Sequence, residues 1–211
     1  MWLYNIGWGD TVTNIRVPVQ KRSIEKRNKI IKMGFELMCE NGYYNTNTND
    51  IAKYAGVSTG IIYQYFNDKK DIFIEGIKNY SDNIMFPILN LLNDTKIDVD
   101  SLDSILSNML DIFIKNHTLS KKAHEEMIAL SHLDSDIAHI FYTKEFNTTN
   151  KIVLVLSNNN IKMENMKEKV HIIVGIVENY CHEVVYHKHE KMNYKVMKQE
   201  VINIIKSILK A

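Results

Sequence analysis

Residues 46–70, TNTNDIAKYAGVSTGIIYQYFNDKK, constrain this chain more than any other stretch. They read as two short helices, 48–55 and 59–66, separated by Gly56-Val57-Ser58. Asn47 or Thr48 offers the side-chain oxygen that caps the first helix against a free backbone N–H. Gly56 stands where the chain must reverse, and glycine takes positive φ with no Cβ to clash. Ser58 or Thr59 caps the second helix. Ala52, one turn before Gly56, is small enough to let the second helix approach, and Ile51, Val57 and Ile62 supply the apolar contact. Two helices around a short glycine turn make a helix-turn-helix, whose second helix can lie in the major groove of DNA.

The outward side of 59–66 carries Thr59, Gly60, Tyr63, Gln64 and Tyr65. These are hydroxyls, an amide and bare backbone, with no carboxylate for a phosphate to repel. Lys69 and Lys70 follow, and Lys69 is within reach of a phosphate near the start of the next helix. Hydroxyls and lysines position a protein on the sugar-phosphate backbone, and glutamine can pair with the edge of adenine. Spacing alone leaves a second reading open, a packed helical hairpin with a polar exterior.

Gly42-Tyr43, Thr46, Asp50-Ile51-Ala52, Ala55-Gly56-Val57-Ser58, Gly60, Ile62-Tyr63, Tyr65-Phe66 and Lys69 together resemble the tetracycline-repressor (TetR) family of bacterial transcriptional regulators. The resemblance runs from the first helix to the start of the fourth. It implies phosphate contacts at Thr48, Tyr63, Tyr65 and Lys69, and base-proximal positions at Ser58, Thr59, Gly60 and Gln64. Asn49 belongs to the same DNA-facing set, although many members carry a basic residue there. Many have Ser or Thr where this chain has Asn47. Both departures bear on the operator sequence rather than on the fold.

With 211 residues, 45% of them hydrophobic and 24% charged, the chain can build one larger domain or two small ones. Two prolines and eight glycines point to an all-α fold, because β-rich folds need more turn residues. The formal net charge is only +1. Its distribution is uneven: Arg16, Lys21, Arg22, Lys26, Arg27, Lys29 and Lys32 face a single acid, Glu25, just ahead of the helix-turn-helix. Cys39 and Cys181 fall in separate expected helices, which suits a reducing cytoplasm and no disulfide framework. No apolar run approaches the ~20 residues of a membrane span.

The expected order is a leader at 1–20, a DNA-binding head at 21–70 and a helical body at 71–211. The leader is apolar but lacks a basic start and a long apolar block, so it is a poor signal peptide. It reads as a segment without fixed structure; alternatively, 16–27 forms an arm into the minor groove. A first helix at 23–41 buries a stripe of Ile24, Ile31, Phe35 and Met38. A longer helix at 71–92 contains Pro87, which predicts a kink or break near 82–86. Residues 93–100 read as a loop. Helices follow at 101–117, 120–133, 136–156, 165–189 and 194–209.

The resemblance implies that this body is a helical bundle that often encloses a small-molecule effector. Candidate lining residues are Met109, Phe113, His117, Met127, His132, Phe141, Tyr142 and Phe146; plain core is the other reading of such residues at helical spacing. Val170, Ile173, Val174, Val177, Cys181, Val184 and Val185 form an apolar face on one late helix, and Val196, Val201, Ile204, Ile205 and Ile208 on the next. The resemblance implies a homodimer joined through these two helices, though each face can also be buried within one chain.

His182-Glu183-Val184-Val185-Tyr186-His187 is a zinc-protease motif with one residue too many. A five-residue separation rotates the two imidazoles by ~140°, too far for one ion on one helix. His182 and His189 with Glu178 and Tyr186 are a remaining metal-sensor arrangement, against the plainer reading of surface histidines. No metal site, cofactor or catalytic set is expected, and no nucleophile-base pair or phosphate loop stands out. The resemblance implies a homodimeric repressor on an operator in double-stranded DNA. The alternative is a helical ligand- or partner-binding protein with a non-functional head.

Overall fold

A computed structural model describes residues 18–94 and 101–210. Among them it shows nine α-helices and no strand: α1 (Lys21–Asn41), α2 (Thr48–Ala55), α3 (Thr59–Tyr63), α4 (Lys69–Asp94), α5 (Leu102–Asn116), α6 (Lys121–Leu133), α7 (Ser135–Asn158), α8 (Met166–Tyr186) and α9 (Tyr194–Lys210). They divide into two compact units between Gly76 and Ile77.

The head packs on α1. Ile30, Ile31, Phe35 and Met38 are buried there, while Ile24, expected in the same stripe, is 40% exposed. Burial on α1 begins only at Ile30. Gly34 lets Ile51 of α2 and Ile72 of α4 close in, since a Cβ on Gly34 would sit 2.8 Å from Ile72 and 3.0 Å from Ile51. Phe73 completes the core, with its ring 5.4 Å from Phe35 and 5.1 Å from Tyr43. Each fully buried Ile or Phe here contributes ~1.5–3 kcal/mol of apolar transfer. Residues 21–27, part of the alternative minor-groove arm, are the first turns of α1. Arg27 binds Glu75 at 3.3 Å and lies over the Phe66 ring, so it serves the head's own packing. Of the expected leader at 1–20, residues 1–17 lie outside the described residues.

The connection from α1 to α2 is closed by side chains. The buried Thr46 hydroxyl donates to the Gly42 carbonyl at 3.0 Å. Asn47, not Thr48, caps α2: its Oδ1 accepts from the N–H groups of Asn49 and Asp50, and Asp50 Oδ2 accepts from the Asn47 N–H. This reciprocal pair satisfies orphan donors at the helix start.

In the body, α4 stays helical across Pro87. The expected break does not occur. Pro87 and Asn83, one turn earlier, are both exposed, so the Asn83 carbonyl that loses its partner faces water. Residues 93 and 94, expected in a loop, still belong to α4, and 95–100 lie outside the described residues. Ile84, Ile88, Met109, Leu110, Phe113, Val177, Cys181, Val201 and Ile205 form the main core. Lys206 pairs with Asp103, and Lys198 with Asp111 at 2.8 Å, across the rim between α9 and α5. Such half-exposed pairs are worth at most ~1 kcal/mol each. The two late apolar faces are mostly buried within the chain: Val170, Ile173, Val174, Val177, Cys181, Val201 and Ile205 are all inside. Ile172, Val196 and Ile204 remain exposed. Cys39 and Cys181 are both buried, and among the described residues neither is in a disulfide. Among the described residues no helix is long and apolar enough to cross a membrane.

Candidate nucleic-acid interface

The turn between α2 and α3 is set by Gly56. Its φ of 66° and ψ of 40° place it in the left-handed region. From there the Gly56 N–H reaches the Lys53 carbonyl at 3.2 Å and the Val57 N–H reaches the Ala52 carbonyl at 3.0 Å. The last carbonyls of α2 are thus satisfied as the chain reverses. Ile51, Ala52, Ala55 and Ile62 are buried between the two helices.

α3 is shorter than expected. It runs from Thr59 to Tyr63, and residues 64–66 leave it as a turn in which the Tyr65 and Phe66 N–H groups both bond the Ile62 carbonyl. Ser58 takes the N-cap position without a side-chain cap bond. The Thr59 hydroxyl instead donates to Asn49 Oδ1 at 2.9 Å, tying the outer rim of α3 to α2. Gly60, Tyr63, Gln64, Ser58 and Asn49 are exposed, and Thr48 and Thr59 are half-exposed. A Cβ on Gly60 would find only the Ser58 hydroxyl, 3.9 Å away. Nothing among the described residues requires glycine there, and its absent side chain leaves backbone bare to an incoming partner. The nearby carboxylates are turned into caps: Asp50 holds the Asn47 N–H, and Asp68 holds the Lys70 and Asp71 N–H groups.

Two residues sit differently from expectation. Tyr65 is not on the outward side; it is 6% exposed and packs edge-on against Phe66. Lys69 is not a free cation. Its Nζ donates to the Tyr43 carbonyl at 2.6 Å and the Thr46 carbonyl at 2.7 Å, and stands 4.4 Å from the centre of the Tyr43 ring. Burial lowers its pKa, against the opposing pull of Asp68. Lys69 thereby locks the start of α4 onto the α1–α2 connection. Sequence reasoning could not see this, because both acceptors are backbone groups far away in the chain. It also passed over the exposed rings of Tyr44 and Tyr54.

Two cavities lie in the body among the described residues. The smaller, ≈ 80 Å³, includes Met109 and Phe113; the larger, ≈ 320 Å³, includes Phe113, His117, Met127 and Phe141. Tyr142 lines neither cavity: it is 66% exposed and stacks on Phe146. Phe146 is exposed too, under the Lys167 ammonium, and His132 is exposed. The larger cavity also takes in His124, His182 and Glu178, none of them expected to line it. The one signal in the sequence was Glu178, an acid set in the apolar run of α8.

His117, His124 and His182 cluster, with the His182 ring 5.1 Å from His117 and 4.6 Å from His124. Burial and mutual repulsion lower the pKa of His124 and His182 to about 4, and burial lowers that of His117. Burial and the neighbouring Glu145 push Glu178 up to about 7. The metal arrangement on α8 does not form: the helix ends at Tyr186, and His189 lies in the turn beyond it, against Glu183. Among the described residues no three His, Cys, Asp or Glu side chains could hold a metal ion.

The family model for "Bacterial regulatory proteins, tetR family" matches residues 30–75, the span from α1 through the start of α4. The head of the chain, from α1 to the start of α4, thus resembles the heads of tetR-family regulators. The chain is similar to the HTH-type transcriptional regulator HbdR of Aromatoleum sp. (strain CIB), 50% identical over 58 residues, or 28% of this chain and 25% of HbdR. It spans 25, 52 and 55% of the lengths of three curated relatives it matches. In fold it is similar to a TetR-family structure from Mesorhizobium loti MAFF303099, with TM-score 0.67 and 18% identity over 90% of this chain and 98% of that one. It is also similar to a transcriptional regulator from Saccharomonospora viridis in complex with choline, with TM-score 0.63 and 17% identity over 87 and 96% of the two chains. The TetR match thus falls on the head, and the likeness of the body to solved structures is one of fold.

Proposed function

We propose that this chain is a sequence-specific DNA-binding transcriptional regulator, a homodimeric cytoplasmic repressor whose hold on its operator is released by a small molecule. The observation that carries the reading is the outer surface of α3. Gly60, Tyr63 and Gln64 stand exposed there beside the Asn49–Thr59 pair, and no carboxylate interrupts them. In this reading Ser58, Thr59, Gly60 and Gln64 face the bases. Thr48, Asn49 and Tyr63 hold the phosphate backbone; Tyr65 and Lys69 support the contact mainly by fixing where α3 sits.

Two copies would place two α3 helices in successive major grooves of a near-palindrome, one or more helical turns of DNA apart. Exposed Ile172 on α8, and Val196 and Ile204 on α9, supply apolar surface for the second copy. The body's cavities are the place for an effector, and a fold neighbour holds choline. An effector releases DNA only by binding the released state more tightly than the bound one.

The test is a titration of the purified chain against the DNA upstream of its own gene at several salt concentrations. Specific binding should weaken steeply with salt, by a slope of about 0.9 for each phosphate neutralised. Gln64→Ala should change preference among sequences, by ~1–3 kcal/mol at one base position. Equal, weak binding to every DNA would contradict the proposal.

A further inference from the structure

The two cavities meet. Met85, Phe113, Thr148 and Glu178 line both. Apart from Thr148 and Glu178, the smaller one is lined among the described residues only by Leu, Ile, Val, Met and Phe side chains. The larger adds charge: Lys78, Lys144 and Lys151, and the acids Asp82 and Glu145. Most of that charge is already matched. Lys144 binds Asp82 at 2.6 Å, Glu145 lies 3.5 Å from His171, and Lys78 and Lys151 have partners of their own. Glu178 differs. Among the described residues it has no hydrogen bond and no base within 4 Å. A half-buried carboxylate without a counter-charge is costly, and it responds by keeping its proton. The three histidines do not fill the gap, because each is held neutral. Aromatic rings line the same space: Phe113 borders both cavities, and Tyr80 and Phe141 border the larger. Aromatic faces attract organic cations.

We propose that the joined cavities bind an organic monocation with an apolar tail, its ammonium beside Glu178 at the junction and its tail among the aliphatic side chains of the smaller cavity. This deepens the effector reading above and rests on it for its regulatory consequence. The ligand supplies the one charge the cavity lacks, whereas an anion of the same shape meets Glu178 as a like charge. The tail replaces water against a wall that offers it no hydrogen bonds.

Calorimetric titration of the full chain with hexyltrimethylammonium, hexanoate and tetramethylammonium tests the site. The first should bind at least about tenfold more tightly than the other two, since only it has both the charge and the tail. None of the three probes changes charge between pH 6 and 8, so a pH dependence belongs to the protein. Glu145, Asp82, Lys78, Lys144, Lys151, His117 and His124 line the larger cavity with Glu178, and His182 lines it from one turn further along α8. Affinity for hexyltrimethylammonium should rise about tenfold from pH 6 to 8 as Glu178 ionises. Glu178→Gln should remove both that rise and about tenfold in affinity at pH 8. Hexanoate binding as tightly as the ammonium would overturn the proposal, as would a flat pH profile in the wild type. Should Glu178→Gln fail to fold, those two wild-type measurements decide alone. If the cation binds but affinity for the upstream DNA is unchanged, the site stands and the effector reading fails. If DNA binds and the cation does not, the site fails and the head keeps its function.

Discussion

A methyl group added at Gly76 would lie 2.4 Å from the Phe35 side chain, near its Cβ, where the neighbour cannot swing away. One added at Gly60 would meet the Ser58 hydroxyl at 3.9 Å, an ordinary van der Waals contact. Both glycines are helical, so alanine is intrinsically favoured at each by ~1 kcal/mol. Gly76→Ala is expected to lose stability on balance, by about 1–3 kcal/mol from overpacking, in a urea melt. Gly60→Ala should leave the melt unchanged or raise it, yet weaken DNA binding, because the added carbon stands on the surface the bases approach. Lys69→Ala should cost about 1–3 kcal/mol of stability by stranding the Tyr43 and Thr46 carbonyls. Its effect on DNA then needs to be read on folded protein. The sequence showed Gly56 plainly and narrowed the α2 cap to Asn47 or Thr48, since these roles are settled by groups within a few residues. Tyr65, Lys69 and Glu178 were illegible in their surroundings, because what surrounds each comes from distant segments.

At the scale of elements, α3 has too few residues to be stable alone. It holds its shape because Ile62, Tyr65 and Phe66 are sunk into the head and because α2 is firmly started and stopped. Asn47→Ala removes the reciprocal cap and is expected to cost ~1 kcal/mol, measurable by chemical denaturation, with a matching loss of DNA affinity if α2 frays. The start of α2 was legible to within one residue, Asn47 or Thr48, because a capping side chain stands there; the caps at Ser120 and Asp134 were passed over. Continuity across Pro87 was not, since it depends on which side of α4 the orphaned carbonyl faces. The packing of α5, α6 and α8 also sets a pH response. His124 and His182 have folded pKa values of about 4, below their usual 6.5. Between those values the unfolded chain takes up protons that the folded chain refuses, so stability is full above pH 6.5 and falls as pH drops. Glu178, raised to about 7, works oppositely: its contribution is greatest near pH 4.5 and is lost as pH rises to 7. Two histidines outweigh one glutamate, so the melting temperature should fall from pH 6.5 to 4.5. His124→Gln with His182→Gln should shrink that fall. An unchanged profile would show that the imidazoles already charge freely in the fold.

For the whole molecule, composition and helical periodicity were enough for an all-α chain, and the motif at 46–70 was enough for the kind of head it carries. What the body does was much less legible, because cavities arise where helices fail to fill space, and no residue spacing announces that. The late apolar faces show the same limit: the spacing of Val170, Ile173 and Val177 marks a buried stripe without saying which partner buries it. Light scattering should give twice the chain mass at micromolar concentration, and Ile204→Glu should reduce it to the monomer. A monomer in the wild type, at concentrations where DNA is bound, would remove the paired-groove arrangement. The central claim is that α3 is a surface presented to the wide groove of DNA, and a binding titration with DNA from upstream of its own gene tests it most directly. Wild type, Gly60→Ala and Gln64→Ala are compared on that DNA and on a scrambled duplex, with folding checked for each. The account predicts preference for the upstream DNA in the wild type, loss of affinity in Gly60→Ala and altered preference in Gln64→Ala. Both variants binding both duplexes as the wild type does would contradict it.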